Sequence, residues 1–214
     1  MNLLLQQPGA RIVKELFKYC TELTEISIPS PIKTIERQAF KGCSSLRKVS
    51  IASSVTYIDD HAFDSCTALE EITIPSSVEN LGKAVFNCCE SLKKVVFEEP
   101  SSMKILNTSV FVSCPSLVEV NVPSSVKEIC ENCFYTCSSL TKVTFPEKAK
   151  LVSIKNSAFK GCYSLVSIAL PSSIKNIGDN VFDECSSLKE ISIPSSLKSF
   201  KEEKLPSKIT IKRF

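Results

Sequence analysis

Residues 66–88 read CTALEEITIPSSVENLGKAVFNC, and the rest of the 214-residue chain consists of variations on this stretch. The shared pattern is C-x-x-L-x-x-I-x-I-P-S-S-V-x-x-I-x-x-x-A-F, after which it begins again. Its cysteine recurs at intervals of 23 or 25 residues, at Cys20, Cys43, Cys66, Cys89, Cys114, Cys137, Cys162 and Cys185. Self-similarity with a period of about 20 to 29 residues is typical of solenoids, in which each coil stacks on the next.

Each repeat contains a short strand with one buried face. A leucine stands three residues after each of these cysteines, and two apolar residues two positions apart follow it, as Leu69, Ile72 and Ile74 do. Alternating apolar residues, many of them β-branched, predict a strand that buries one face. The other pairs are Ile26/Ile28, Val49/Ile51, Val95/Phe97, Val120/Val122, Val143/Phe145, Ile168/Leu170 and Ile191/Ile193.

A phenylalanine occupies one fixed position in every repeat, three residues before the cysteine. One coil cannot bury its own apolar edge, so each residue stacks on its equivalent in the coils above and below. Because neighbouring strands lie about 4.8 Å apart, the sequence predicts a continuous column of aromatic rings. Its members are Phe17, Phe40, Phe63, Phe86, Phe111, Phe134, Phe159 and Phe182.

The second half of each repeat predicts a turn and a second, shorter strand. Proline ends the first strand in the clearest copies, as Pro75 and Pro123 do, because it donates no backbone hydrogen bond. A V-x-x-I motif follows, for example Val78 and Leu81, and the A-F-x-x-C segment at 62–66 suits one helical or 3₁₀ turn. The predicted fold is an α/β-type repeat solenoid with one parallel β-sheet on its concave face, and with short strands and 3₁₀ or helical turns on its convex side.

The period indicates that residues 1–214 form a single solenoid domain. It predicts a partial N-terminal coil (1–19), seven repeats (20–42, 43–65, 66–88, 89–113, 114–136, 137–161 and 162–184) and a C-terminal coil with a cap (185–214), in which Ile209 and Ile211 form a last short strand. At the N-terminal end, Ile12 occupies the repeat position that Ile35 occupies in the next coil. The strand edge Leu3, Leu4 and Leu5 has no cap, so we expect a homo-oligomer through that edge.

Two repeats carry two extra residues directly after the first strand. These insertions lie in 97–103 (FEEPSSM) and 145–151 (FPEKAKL), two coils apart, so their loops are expected on the same side. Insertions in exposed loops cost little, which favours tolerated variation in loop length. The alternative is a pair of loops that contact a partner.

The unit CTALEEITIPSSVENLGKAVF resembles the BspA-type leucine-rich repeat, and its tandem copies extend the resemblance over nearly the whole chain. The resemblance implies a curved solenoid with a parallel sheet. It also implies protein recognition, typically adhesion by surface proteins of bacteria and of some anaerobic protists. This family is defined by its scaffold and supplies no catalytic motif.

Composition favours a soluble protein. The net charge of +3 is too small to indicate a nucleic-acid or anionic-membrane partner, and no apolar run approaches the roughly 18 residues of a membrane span. MNLLLQQPGA lacks the basic start and the long apolar run of a signal peptide. Together with many unpaired thiols, this predicts a cytoplasmic protein. The alternative is the cell surface, if an upstream signal has been removed.

The eight cysteines at the repeat position are expected to be buried, reduced side chains, and no cysteine is expected to be catalytic or metal-binding. Eight of the 11 occupy one repeat position beside Phe and Leu, where a small apolar side chain fits. Cys130 and Cys133 form a C-x-x-C pair, which could be half a zinc site or a redox pair. No second such pair exists, and the single His61 is three repeats away, in what is predicted to be a solvated position. With no phosphate loop or nucleophile elbow in the sequence, we expect no enzyme activity, no cofactor and no metal.

The outward positions of the first strands are the predicted partner-binding site. The residue before the first apolar strand position alternates between acid and base over six coils, and the residue after it is small and mildly polar. The alternation also suits a self-neutralised ladder that keeps the sheet in register. Repeat proteins commonly bind through this sheet, and the predicted site is Lys48, Ser50, Glu71, Thr73, Lys94, Val96, Glu119, Asn121, Lys142 and Thr144.

Three classes of function follow from the sequence. A non-enzymatic scaffold that binds a protein partner through the concave sheet and flanking loops is the leading prediction. A cell-surface adhesin of the BspA type, which binds host or extracellular proteins, is the alternative. A redox enzyme is supported only by Cys130 and Cys133.

Overall fold

The chain folds into a parallel β-solenoid in which each repeat from 20–42 to 162–184 contributes a strand to each of two faces. The computed structural model describes residues 11–198, Phe200, Leu205 and 209–214. One face, here called the front sheet, consists of β1 (Glu25–Ile28), β3 (Lys48–Ile51), β5 (Glu71–Ile74), β7 (Lys94–Phe97), β9 (Glu119–Asn121), β11 (Lys142–Thr144), β13 (Ser167–Ala169), β15 (Glu190–Ile193) and β16 (Thr210–Arg213). The other, the back sheet, consists of β2 (Thr34–Ile35), β4 (Tyr57–Ile58), β6 (Asn80–Leu81), β8 (Ile105–Leu106), β10 (Glu128–Ile129), β12 (Ser153–Ile154) and β14 (Asn176–Ile177).

Equivalent positions of consecutive repeats pair with each other in both sheets. Ile72 pairs with Val95 in the front sheet, and Ile58 pairs with Leu81 in the back sheet, always in parallel. The front strands bond in the runs β1–β3, β5–β7–β9–β11 and β13–β15–β16, and β3 lies beside β5 as β11 does beside β13. Because a slip of one residue would turn the apolar row outward, the buried face fixes this register.

The predicted phenylalanine column is confirmed. All seven neighbouring pairs from Phe17 to Phe182 stack, with ring centroids 5.1–5.9 Å apart and planes within 3–12° of parallel. The six rings from Phe40 to Phe159 are completely buried. At these centroid distances the rings are offset-stacked, which is a favourable arrangement of aromatic quadrupoles.

The predicted 3₁₀ or helical turn between back sheet and cysteine is wrong, because the described residues form a run of β-turns instead. Ala39 N–H donates to Glu36 O within its own coil, but Phe40 N–H donates to Ala62 O of the next coil. Such alternation continues along the segment. In a helical turn every N–H would donate to a carbonyl of its own coil. Here every second N–H group donates instead to a carbonyl of the next coil in the stack.

This alternation requires left-handed backbone at two positions per coil, four residues apart. In the second coil these are Gln38, with φ of 56°, and Gly42, with φ of 72°. Gly42 is further constrained, since a Cβ there would lie 2.3 Å from Tyr19 Cδ1. Most coils place ordinary residues at these positions, Thr136 at φ 56° among them, and the hydrogen bonds to the next coil hold them in this unfavourable region.

Both insertion loops contact the coil that lies between them. Glu99 accepts hydrogen bonds from the backbone N–H of Ser101 at 2.7 Å and of Ser124 at 2.9 Å. Lys150 of the second loop donates its N–H to Ser124 O at 3.0 Å. The loops therefore meet at Ser124 and are part of the stacking of the coils.

The C-terminal residues extend the front sheet. Strand β16 pairs with β15, with Ile211 opposite Ile191, as the predicted last strand requires. Phe200, Leu205 and Ile209 pack against the core. At the other end Ile12 bridges to Ile35, as expected, whereas the edge Leu3, Leu4 and Leu5 lies outside the described residues.

Candidate functional site

The structure brings the ten predicted partner-binding residues onto one face. Nine are exposed, and Thr144 is half-buried. Each of the five strands that carry them, β3, β5, β7, β9 and β11, presents one charged residue and, two positions later, one small or neutral residue, while the residue between them is buried. Stacking turns these positions into two parallel rows. Their binding role remains a prediction.

The first row, here called the charge ladder, consists of Glu25, Lys48, Glu71, Lys94, Glu119 and Lys142. Opposite charges are register partners along the ladder: Glu25 with Lys48, Glu71 with Lys94, and Glu119 with both Lys94 and Lys142. Among the described residues, however, no ion pair within 4 Å joins any two members. The predicted alternation is present, but the side chains do not neutralise one another by direct contact.

A neighbouring row behaves differently. Glu70 and Lys93 stand one position before the charge ladder on adjacent coils, and Lys93 Nζ approaches Glu70 Oε2 to 2.8 Å. The hydrogen bond from Lys93 lowers the pKa of the Glu70 carboxyl. Acidic and basic side chains on this face can therefore form ion pairs, whereas among the described residues those of the charge ladder do not pair with one another.

The second row combines small polar and apolar groups. Thr144 Oγ1 donates to Asn121 Oδ1 in the adjacent strand, while Val96 leaves 36% of its surface exposed. A shallow depression of about 800 Å³ extends over β3, β5 and β7. A smaller one of about 70 Å³ lies between β7 and β9, lined by Lys94, Val96, Glu119 and Asn121 among others. The front face thus offers open, shallow relief rather than an enclosed cavity.

Seven of the eight column cysteines are buried as predicted, while Cys20 is half-buried, and the buried thiols also donate hydrogen bonds. All 11 cysteines are free thiols. From Cys43 onward each column thiol donates to the backbone carbonyl of the phenylalanine 26 or 28 residues earlier, as Cys114 Sγ does to Phe86 O at 3.1 Å. The others are Cys43, Cys66, Cys89, Cys137, Cys162 and Cys185, at 3.0–3.2 Å. Burial raises the pKa of the Cys43 thiol to about 12 and that of Cys66 well above its ordinary value, so these thiols stay protonated.

This geometry predicts that cysteine is preferred over an apolar residue of similar size. Cys114→Val removes the donor while filling the site, and we expect it to lower the free energy of unfolding by about 1 kcal/mol, the net value of one hydrogen bond. Cys114→Ala also opens a small cavity and should lose about 2 kcal/mol. Urea unfolding of both variants measures the two effects.

Cys20 provides the control, because its thiol contacts no carbonyl among the described residues and is half-buried. Cys20→Val is expected within about 0.5 kcal/mol of the parent. Equal stability of the parent and Cys114→Val would show that the thiol only fills space and that its hydrogen bond adds nothing to stability.

The C-x-x-C pair lies inside the same core. Cys133 is completely buried and Cys130 is 7% exposed, and Cys130 Sγ donates to Glu128 Oε1 at 3.5 Å. Burial is the main cause that raises the pKa of the Cys130 thiol to about 12. Across the described ranges, no three His, Cys, Asp or Glu side chains meet in a group that could hold a metal ion.

A buried acidic cluster escaped the sequence prediction. Asp64 leaves only 3% of its side chain exposed, and it contacts Lys41 Nζ at 2.7 Å and His61 Nδ1 at 2.9 Å. Ser65 Oγ and Asn87 Nδ2 donate to its other oxygen. His61 is therefore part of this cluster, although it was predicted to be only a solvated residue, and 32% of its side chain stays exposed. Burial alone raises the pKa of Asp64, but these hydrogen bonds outweigh it and hold the pKa below the ordinary 3.8.

The cluster has a structural role. Every polar atom that is buried among the described side chains has a hydrogen-bond partner, so none is left over for a ligand. A partial signal was present in the sequence, since Lys41, Asp64 and Asn87 stand at one repeat position in three consecutive coils. Lys160 and Asp183 occupy this same repeat position near the C-terminal end, and they form an ion pair at 2.8 Å.

None of the described residues forms a helix with the length and apolar character that crossing a bilayer requires.

Comparison with known proteins agrees with this architecture. The family model described as "BspA type Leucine rich repeat region" matches residues 10–137 and 104–214, with six copies. No curated protein matches the chain.

Several solved structures are similar. A leucine-rich repeat protein from Eubacterium ventriosum is 32% identical, with a TM-score of 0.71, and the match covers 78% of this chain and 44% of that one. A leucine rich cell surface protein from Faecalibacterium prausnitzii is 28% identical, with a TM-score of 0.54 and coverage of 94% and 62%. A leucine rich repeat protein from T. pallidum is 28% identical, with a TM-score of 0.59 and coverage of 91% and 76%. The chain thus spans less than two thirds of the length of the first two.

Proposed function

Because this chain belongs to the BspA-type leucine-rich repeat family, we propose that it is a non-enzymatic scaffold that binds a protein partner through its front sheet and the flanking loops. The charge ladder is the observation that carries the proposal. Its members are exposed on a face held rigid by two sheets, and they are arranged in register without closing on one another. Charges in that state are free to pair with a partner, and complementary charges across an interface favour both encounter and correct register.

The state of the cysteines supports a role without catalysis. A nucleophilic or redox cysteine needs a lowered pKa and some exposure. The column thiols from Cys43 onward and Cys133 are buried, burial raises their pKa values, and these column thiols donate to carbonyls. They therefore act as parts of the core.

A surface adhesin is the second candidate. The similar protein from F. prausnitzii is a leucine rich cell surface protein, which favours exposure to the outside. Eleven free thiols favour a reducing compartment instead, and we place the protein in the cytoplasm on that ground. Cell fractionation followed by immunoblotting separates the two, since an adhesin appears in the surface fraction.

Exchanging two charges of the ladder is expected to abolish partner capture. The double variant Lys94→Glu/Glu119→Lys keeps the net charge but puts like charges beside Glu71 and Lys142. It also opposes any partner charges matched to the native order, which costs several kcal/mol in an interface. Affinity purification from the native cell with quantitative mass spectrometry should show the partner depleted at least about tenfold relative to the parent.

The back sheet offers a matched control. Glu79 and Lys104 occupy one repeat position on adjacent coils and are both exposed, so Glu79→Lys/Lys104→Glu is the same exchange on the other face. It should capture the partner as the parent does. Undiminished capture by the front variant, or an equal loss in both, would contradict a front-sheet site.

A further inference from the structure

We propose that the segment bound by the front sheet is a polyproline II stretch of the partner with an acidic residue at every third position and basic residues between them. The inference rests on the proposed function and names the chemistry of the partner. Its three acidic residues pair with Lys48, Lys94 and Lys142, and its basic residues project to the other sides of the helix, where they balance its charge.

The spacing of the lysines selects this chemistry. They stand on every second coil, and strands are about 4.8 Å apart, so consecutive lysines of the ladder are about 9.6 Å apart along the solenoid. A polyproline II helix rises about 3.1 Å per residue with three residues per turn. Positions i, i+3 and i+6 therefore share one side and recur about every 9.3 Å. Over the three lysines the mismatch stays below about 1 Å.

Other peptide conformations fit less well. In an extended strand, i and i+3 are about 10 Å apart but point to opposite faces, because side chains alternate. In an α-helix the same side returns about every seven residues, which is about 10.5 Å, so the mismatch grows to about 2 Å over three lysines. Polyproline II is the conformation that presents charges on one side at the required pitch.

The availability of the charges is the second step of the argument. Glu70 and Lys93 close to 2.8 Å, whereas within the described chain no ion pair joins the members of the adjacent ladder, although they are register partners. The depressions of about 800 Å³ and 70 Å³ follow the ladder from β3 to β9. From β3 to β9, the surface on which the bound segment would lie therefore has both a depression and charge-ladder side chains that do not pair with one another.

Synthetic peptides test the spacing directly. One contains three repeats of Glu-Pro-Lys, in which proline favours polyproline II and places glutamate at every third position. The control, Glu₃-Pro₃-Lys₃, has the same composition and net charge in blocks. An exposed ion pair contributes roughly a two- to fivefold gain, so three pairs should make the repeating peptide bind about tenfold tighter at low salt. The preference should shrink at high salt.

The charge-exchanged protein completes the test. Lys94→Glu/Glu119→Lys moves the lysines off the two-coil spacing and should remove the preference, whereas Glu79→Lys/Lys104→Glu should keep it. Fluorescence anisotropy of labelled peptides provides the readout. Equal affinity for both peptides in the parent, or tighter binding of a helical peptide with glutamates seven residues apart, would overturn the inference. Either result leaves the partner-capture comparison to decide the proposed function by itself.

Discussion

Replacing Phe111 by alanine is expected to lower the free energy of unfolding by about 3–5 kcal/mol, the usual loss for a fully buried phenylalanine. Its ring is completely buried and stacks on Phe86 at 5.5 Å and on Phe134 at 5.3 Å. The variant opens a cavity in the middle of the column and removes both stacking contacts. Because a folded domain is stable by about 5–15 kcal/mol in total, the loss should be evident as a large shift of the urea midpoint.

Two other phenylalanines calibrate that result. Phe17 stacks only on Phe40 among the described rings and is 9% exposed, so Phe17→Ala should lose less. Phe214 is 60% exposed, and its replacement should change stability by no more than about 0.5 kcal/mol. A loss below about 1 kcal/mol for Phe111→Ala would contradict a continuous stacked core.

Asp64→Asn is expected to have the second largest effect, a loss of about 2–3 kcal/mol. The substitution keeps the shape but leaves the Lys41 ammonium, whose side chain is 25% exposed, without its carboxylate. Removing one partner of a fully buried ion pair costs about 3–5 kcal/mol, and the partial exposure of Lys41 reduces that figure. Denaturant unfolding at neutral pH measures the loss.

Asp183 provides the control because it occupies the same repeat position and pairs with Lys160 at 2.8 Å, while Lys160 also contacts Glu184 at 3.2 Å. Its side chain is 47% exposed, so Asp183→Asn should lose less than about 1 kcal/mol. Equal losses in the two variants would show that burial of Asp64 is not what makes its contacts important.

The effect of Asp64 also depends on pH with a definite sign. The pKa of the folded-state carboxyl lies below 3.8, the ordinary value that applies in the unfolded chain. Its stabilisation is therefore complete above that value and is lost as the pH falls through the folded-state pKa. The difference in unfolding free energy between the parent and Asp64→Asn should therefore narrow below about pH 4, as the Asp64 carboxylate becomes protonated in the folded parent.

The repeat period allowed much of the architecture to be predicted. A residue that recurs once per coil has its own equivalents as neighbours, so the columns of Phe17 to Phe182 and of the cysteines follow directly from spacing. The strand faces follow from alternation in pairs such as Ile72 and Ile74. The rows of the charge ladder follow in the same way, since register carries the sequence order into space.

Features that depend on competition between coils could not be predicted from the pattern. The segment 36–43 has local spacing that suits a helical turn, and only the carbonyls of the next coil divert alternate N–H groups and force Gln38 into left-handed backbone. Likewise, the cysteine column looks apolar in sequence, and the acceptor of Cys114, the carbonyl of Phe86, belongs to another repeat. Whether opposite charges close into ion pairs depends on side-chain geometry, which a row of letters does not contain.

Partner capture by the two charge exchanges tests the central claim, binding through the front sheet, most directly. The measurement is the ratio of partner recovered with Lys94→Glu/Glu119→Lys to that recovered with Glu79→Lys/Lys104→Glu, under identical purification from the native cell. The account predicts a ratio of about one tenth or less, because only the front exchange disrupts charges that face the partner. A ratio near one would contradict it.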